Sequence, residues 1–218
     1  MAQARFITLE GGEGAGKSTQ IQLLAEKLRA RGETVCVTRE PGGAAGAEAI
    51  RQLLVTGETT RWSAKTEALL HFAARADHLE RTIRPALARG EWVISDRFVD
   101  STLAYQGQGV GLEFINELKE MVVGADMPAL TLILDLPVEQ GLARAKSRQG
   151  QDNSAEDRYE RMDRAFHENL RQAFLNIAKN EPERCAVIDA SGDPAAVATA
   201  IWQTVEQRLT PPLSRNCH

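Results

Sequence analysis

The sequence predicts an α/β protein, a doubly wound five-stranded parallel sheet flanked by helices, and three observations carry that expectation. Short apolar runs alternate with longer stretches of helical periodicity along nearly the whole chain. In that rhythm each strand returns parallel to an earlier one through a right-handed crossover. Two of the runs, Trp92-Val93-Ile94-Ser95 and Leu130-Thr131-Leu132-Ile133-Leu134-Asp135, are apolar without alternation, as strands covered on both faces require. The first run, Phe6-Ile7-Thr8-Leu9, leads into Gly11-Gly12-Glu13-Gly14-Ala15-Gly16-Lys17-Ser18, a full match to G-x-x-x-x-G-K-[ST], and the amphipathic Ile21–Leu28 follows it. Strand, loop and helix in that order are the context this motif needs.

Taken in order, Phe6–Glu10 reads as the first strand and about Lys17 to Arg31 as a helix stopped by Gly32. Thr34–Thr38 is the second strand. It ends at Arg39-Glu40-Pro41-Gly42-Gly43, where one proline and two glycines forbid helix and force a shaped loop. A helix over Ala47–Thr56 precedes a polar break, and Ser63 is the N-cap of a long helix on which Leu69, Phe72, Ala73, Ala76 and Leu79 recur at helical spacing. Pro85 kinks or ends it. Two helical stretches separate the third strand, Trp92–Ser95, from the fourth, Leu130–Asp135. Pro137 opens a helix to about Lys146, and Ser147–Ala155, poor in apolar residues, reads as a mobile segment. A helix from about Asp157 to Asn180, a fifth strand over Cys185–Asp189 and a helix capped by Asp193 and running to Leu209 complete the pattern; the tail, residues 210–218, reads as frayed. The expectation is one domain, residues 1–218, with a lid at about 144–161 and no internal repeat.

The glycine-rich stretch reads as a phosphate cradle. Glycines let the backbone turn tightly enough that several N–H groups and a helix N-terminus point at one polyphosphate, and Lys17 adds a charge. Gly11 to Ser18, with Thr19 in the first helical turn, are the candidate polyphosphate-binding residues, and Ser18 would hold Mg²⁺ through its hydroxyl. The fold is then the P-loop NTPase type, in which ligands bind at the carboxyl ends of the strands.

Composition narrows the class. The chain has 218 residues, a formal net charge of -4 and 43% hydrophobic residues, which fits an intracellular enzyme with no global attraction for nucleic acid. Cys36, Cys185 and Cys217 are odd in number and far apart, which argues against a disulfide framework or a zinc site and fits a reducing, cytoplasmic setting. With no signal-peptide pattern and no run of eighteen apolar residues, neither export nor a membrane span is expected.

A second constellation, Asp96-Arg97, stands where the third strand ends, on the same sheet edge as the cradle. Alone it would read as a surface ion pair. Arg39 leaves a strand at that edge too, however, so two guanidiniums converge on a phosphate with a fork that lysine lacks.

The ordered set Gly11–Ser18, Thr38-Arg39-Glu40-Pro41-Gly42-Gly43, Phe72-Ala73-Ala74-Arg75, Asp96-Arg97-Phe98, Ser101–Gly107 and an arginine-bearing lid resembles the bacterial thymidylate kinases, of the P-loop nucleoside monophosphate kinase group. The resemblance spans nearly the whole chain. It implies phosphoryl transfer from ATP to dTMP with Mg²⁺, in a homodimer packed through helices. It also implies that Arg39 and Arg97 bind the dTMP phosphate and that Arg75 hydrogen-bonds a thymine carbonyl. Ser101 and Thr102 would meet the pyrimidine edge with Gln106 close by, Tyr105 would fill the space of a ribose 2′-hydroxyl, and Glu13 would receive the sugar 3′-hydroxyl. In several such kinases the aromatic stacked on thymine lies four residues before that arginine, which here is His71; Phe72, one residue on, is the expected stacker. Some also carry an arginine where this chain has Gly14, so transition-state charge is expected from the lid, chiefly Arg148 and Arg158, with Arg144 and Arg161 as alternatives.

The chemistry agrees with a phosphate acceptor. A phosphate monoester with a second pKa near ~6 is already a nucleophile at neutral pH and requires no general base. Lys17, Arg97 and the lid arginines would neutralise the transferring group, and Asp96 or Glu160 would reach Mg²⁺ through water. Two other readings stay open: a kinase for another nucleoside monophosphate, and a nucleotide-switched regulatory ATPase. The second leaves Arg39, Arg75 and Arg97 unexplained.

Overall fold

The computed structural model describes residues 5–58, 60–149 and 162–209. Five strands, β1 (Phe6–Glu10), β2 (Val35–Arg39), β3 (Trp92–Asp96), β4 (Leu130–Asp135) and β5 (Cys185–Asp189), form one sheet in the order β2-β3-β1-β4-β5, every pair parallel. The helices are α1 (Lys17–Ala30), α2 (Ala45–Val55), α3 (Ala64–His78), α4 (Arg84–Ala88), α5 (Val99–Val110), α6 (Leu112–Val122), α7 (Val138–Gln149), α8 (Arg164–Asn180) and α9 (Pro194–Leu209). Because β1 is central and β3 and β4 flank it, the loops after β1, β3 and β4 open on one crevice at the carboxyl edge.

The sheet is buried on both faces, which is why its strands are continuous apolar runs. On one face Ile7, Leu9, Leu132 and Leu134 pack with Ile21, Leu24 and Leu28 of α1 and Ile201, Trp202 and Val205 of α9. On the other, Phe6 and Val93 pack with Phe72, Leu79, Ile83, Phe98 and Ile115. A buried polar layer ties α5 to the sheet. Asp100 is fully buried, accepts from Thr131 Oγ1 at 3.1 Å and pairs with Arg184 at 2.7 Å.

Local chemistry sets the boundaries. Ser63 caps α3 by accepting from the Thr66 amide at 3.2 Å, and Asp193 caps α9 by accepting from the Ala195 and Ala196 amides. The long helix does not break at Pro85. It widens into a π-helical turn over Leu79–Ile83 and continues as α4, with Pro85 in the first turn. A wider turn relieves the clash between a proline ring and the carbonyl four residues before it.

Two expectations need correction. Helix α7 runs on to Gln149, past Lys146. Helix α8 starts at Arg164, not near Asp157, because Asp163 turns out of helical geometry and accepts from the Phe166 amide at 2.8 Å. Among the described residues no helix is long and apolar enough to cross a membrane.

Candidate active site

The glycine-rich loop joins β1 to α1 and packs against β4 and α7. Gly11 has φ 136°, and a Cβ there would lie 2.6 Å from the Leu134 carbonyl oxygen. Gly14, at φ 72°, faces the backbone of Gly141 in the first turn of α7, where any Cβ would collide. Helix α1 begins after Gly16, which has no side chain to cap it, so the cap residue offers no side-chain acceptor to the first-turn N–H groups. Lys17 bridges the loop from within, Nζ donating to the carbonyls of Gly11 at 3.1 Å and Gly12 at 3.2 Å. Burial, and then the neighbouring Arg97, lower its pKa, partly offset by Asp96, Glu13 and Glu10.

Ser18, on the first turn of α1, donates to Asp96 Oδ2 across 3.4 Å. The other carboxylate oxygen, Asp96 Oδ1, is buried without a hydrogen-bond partner among the described residues. A hydroxyl beside a carboxylate with one unsatisfied oxygen is a donor set suited to a hydrated Mg²⁺ at the mouth of a phosphate loop. Among the described residues no three His, Cys, Asp or Glu side chains gather as an all-protein metal cage, which Mg²⁺ seldom uses.

Arg97 sits between β3 and α5 with φ 67°, a conformation that a side-chain-bearing residue adopts only when its surroundings hold it there. Its Nη2 donates to Glu13 Oε1 at 2.8 Å, and Nη1 reaches the Gly11 carbonyl and Ser101 Oγ, each at 3.3 Å. The guanidinium also lies over the Tyr105 ring, 5.1 Å from its centre. Glu13 is therefore the partner of Arg97, and Asp96 is not. Burial alone would raise the Glu13 pKa, but Arg97, Lys17 and the Tyr105 hydroxyl outweigh it and leave it below the ordinary carboxylate value. Arg39, at the end of β2, is half exposed and pairs with Glu48 at 3.0 Å.

Glu10, the last residue of β1, fixes this corner from below. It is fully buried, accepts from the Phe98 amide at 2.7 Å and from Ser101 Oγ at 2.6 Å, and so holds both sides of the Arg97 turn. Burial, reinforced by Asp100, pushes its pKa up to about 8 against the opposing pull of Ser101 and Arg97.

Arg75 projects from α3 and is 2% exposed. Its Nε and Nη2 donate to Glu40 Oε2 at 2.9 and 2.7 Å, and Nη2 also to Thr102 Oγ1 at 3.0 Å. The guanidinium is flanked by the rings of Phe72 and Phe98, with centres 4.8 and 5.2 Å from Cζ. Its Nη1 has no hydrogen-bond partner among the described residues. Arg75 lines a cavity of about 360 Å³, and a buried donor left open there calls for an acceptor from a ligand.

That cavity brings together most of the residues singled out in the sequence. Glu13 to Ser18, Arg39, Asp96, Arg97, Arg75 and, from α5, Ser101, Thr102, Tyr105 and Gln106 all line it. Gly11 and Gly12 lie behind, against β4 and α8, and Thr19 is exposed on α1 outside the lining. Phe72 does not face the cavity. It is core, 2% exposed, and supports Arg75 from within, whereas His71 is on the cavity wall. The alternative that spacing offered, four residues before Arg75, is the one facing the ligand space. Arg144 binds the carbonyls of Ala190 and Ser191 at 3.1 and 3.3 Å, away from this wall. The Arg148 side chain, Arg158, Glu160 and Arg161 lie outside the described residues.

Several contributors carried no motif. Glu10 had one visible mark, a charge ending an otherwise apolar strand directly before the cradle. Glu40 sits inside a motif but draws attention to the loop's shape rather than to its own carboxylate. His78 had no mark beyond its place on a helix.

A phosphate loop at the central strand, a serine and carboxylate at its mouth and a second basic pocket on the same cavity define a P-loop phosphotransferase with separate donor and acceptor subsites. Comparison with known proteins narrows the class. Residues 9–201 match the family model described as Thymidylate kinase. The thymidylate kinase of Caulobacter vibrioides is 57% identical over 211 residues, covering 96% of this chain and 99% of that protein. That of Rhodopseudomonas palustris is 54% identical over 213 residues, covering 96% and 92%. Among solved structures, the thymidylate kinase of Ehrlichia chaffeensis superposes with a TM-score of 0.72 at 33% identity, covering 92% of this chain and 97% of that one. The chain belongs to the thymidylate kinase family.

Proposed function

We propose that this protein transfers the γ-phosphoryl group of ATP to dTMP, giving ADP and dTDP, with Mg²⁺. The observation that carries the reading is Arg75, which lines a cavity shared with Arg39, Arg97 and part of the phosphate loop and whose Nη1 is a buried donor without a partner among the described residues. Such a donor fits a carbonyl oxygen, which accepts from it. A cytosine amino group, itself a donor, would leave it unpaired at about 1–3 kcal/mol, so the pocket favours a thymine or uracil edge.

The acceptor phosphate needs no base, so the residues position and neutralise. Arg97 and Arg39 hold the dTMP phosphate. The first-turn amides of α1 and Lys17 hold the donor phosphates, Lys17 leaving the loop carbonyls it now binds. Glu13, kept ionised by Arg97 and Lys17, accepts the sugar 3′-hydroxyl, and Tyr105 closes the space beside it. Ser18 and Asp96 would hold Mg²⁺, Asp96 through water, with Glu160 a further outer ligand. The metal would supply charge neutralisation between the donor phosphates. Arg148 and Arg158 contribute the remaining positive charge to the transferring group, because Gly14 leaves the loop without an arginine of its own.

The reading includes a homodimer, for which Leu53, Leu69 and Met121, exposed on α2, α3 and α6, are apolar side chains that a helix-packed partner would cover. It also includes a cytoplasmic setting, since the donor is ATP. A coupled ADP-release assay across dTMP, dUMP, CMP, UMP, AMP and GMP tests it. The highest kcat/KM is expected with dTMP; a preference for another nucleotide, or ATP hydrolysis indifferent to all six, would overturn it.

A further inference from the structure

Behind Arg75 lies a second layer of buried polar groups to which the reaction above gives no role. His78, the last residue of α3, has no exposed surface. Its Nδ1 is 3.0 Å from Glu40 Oε1 and its Nε2 is 2.7 Å from Thr38 Oγ1. A carboxylate only accepts, so Nδ1 carries a proton and donates to Glu40, while Nε2 and the Thr38 hydroxyl share a second hydrogen bond. Glu40 then uses its two oxygens on opposite sides, Oε1 for His78 and Oε2 for Arg75. The loop after β2 closes over this relay. A Cβ on Gly43 would run into both His78 Nε2 and Thr38 Oγ1, and the Gly43 carbonyl accepts from Thr82 Oγ1 at 2.6 Å.

Arg75 has little freedom of its own. Two rings hold the guanidinium plane and Thr102 and Glu40 hold one edge, which among the described residues leaves Nη1 for a ligand. The direction of Nη1 within that plane follows the carboxylate of Glu40. That carboxylate lies on a loop, and the bond fixing its far oxygen comes from His78.

We infer that His78 is a positioning residue for base recognition: through Glu40 it sets the aim of Arg75 Nη1, and so governs acceptor binding while leaving phosphoryl transfer alone. This rests on the dTMP reading above. The relay joins two distant stretches, Thr38–Glu40 at the end of β2 and Arg75–His78 at the end of α3, so no spacing within either one announces it.

The test exploits the shape of two amides. Asn places its amide where histidine has Nδ1, so His78→Asn keeps a donor for Glu40. Gln reaches the position of Nε2, so His78→Gln keeps a partner for Thr38 and loses the donor for Glu40. On the scale of one hydrogen bond to a charged group, His78→Gln should raise the dTMP KM about tenfold, with kcat and the ATP KM within about twofold. His78→Asn should stay within about threefold of wild type in every parameter. In an Arg75→Ala background the difference between the two variants should disappear, because Arg75 transmits it. Melting temperatures measured alongside show whether both variants fold equally well.

The inference is overturned if the two variants behave alike, if KM for both substrates and kcat move together, or if the difference persists without Arg75. Should His78→Gln not fold, Thr38→Val decides, since it removes the hydroxyl that steadies the ring. It should raise the dTMP KM alone by about threefold, and an unchanged KM would overturn the inference. Absence of dTMP turnover by the wild-type enzyme would overturn the dTMP reading and the inference together. Normal wild-type turnover with an unaffected His78→Gln would overturn the inference only.

Discussion

Replacing Arg97 by glycine separates what this residue does for the fold from what it does for the acceptor. Arg97 stands at φ 67°, a conformation costing a residue with a Cβ roughly 1–2 kcal/mol and costing glycine almost nothing. The substitution also removes the contact with Glu13, a partly buried pair at 2.8 Å. Relief of strain offsets the lost pair, so the melting temperature should move by no more than about 5 °C, the equivalent of about 1–2 kcal/mol for a chain of this size. Activity should respond very differently. A guanidinium has five N–H donors; three bonds go to Gly11, Glu13 and Ser101, which leaves donors for a phosphate. Two charge-assisted bonds at about 1.5–3 kcal/mol each predict a fall in kcat/KM for dTMP of roughly 10²–10⁴-fold. Arg97→Lys, which keeps a charge without the fork, should fall between wild type and Arg97→Gly. The assay is ADP release at saturating ATP with dTMP varied, alongside thermal melts. A kcat/KM within about tenfold of wild type for Arg97→Gly would refute the placement of the acceptor phosphate at Arg97.

Three other perturbations follow from the geometry. Lys17→Ala should lower kcat by about 10²-fold or more while dTMP binding, measured by calorimetry, stays near wild type, because Lys17 serves the donor phosphates. Gly141→Ala should destabilise by about 1–3 kcal/mol in urea and raise the ATP KM, since the new Cβ would lie 2.5 Å from the Glu13 carbonyl oxygen. Helix propensity alone would give stabilisation of about 1 kcal/mol, so the sign of the change decides. Glu10 supplies a pH test. Its folded pKa, raised to about 8 by burial and then by Asp100, exceeds its ordinary value of 4.5, so the stability linked to its proton is complete below about 4.5 and lost as pH rises through about 8. Wild type should therefore lose stability relative to Glu10→Gln across that window, and a difference that does not vary with pH would show that Glu10 titrates normally.

What the sequence made legible depended on whether the physics was local. Strands β4 and β5 and helix α9 have the expected bounds because an apolar run or an Asp-Pro cap states each one within a few residues. Helix α8 was placed too early because the charged stretch before it has ordinary helix formers, while its true start rests on one side chain, Asp163, folding back onto an amide. The cradle is contiguous, so its strand, glycine-rich loop and helix stand side by side in the sequence as they do in the fold. Arg39, Asp96 and Arg97 were readable too, since strand ends share one edge of a parallel sheet. His71 and Phe72 show where periodicity stops. Four and three residues before Arg75, they lie about 40° and 60° to either side of it on a helix, so spacing admits both. Only packing against Phe98 and Ile115 sends Phe72 inward. Glu10 and the relay from Thr38 to Thr102 were invisible because their partners are far apart in the chain, and a lone buried acid or histidine gives no periodic signal.

The most direct test of the account is a crystal structure of the protein with dTMP and a non-hydrolysable ATP analogue. The account predicts a thymine carbonyl oxygen about 3 Å from Arg75 Nη1, the monophosphate on Arg97, and the analogue's phosphates over the loop from Gly11 to Ser18. A thymine ring outside this cavity, or an Arg75 Nη1 that still faces no ligand atom with dTMP bound, would contradict it.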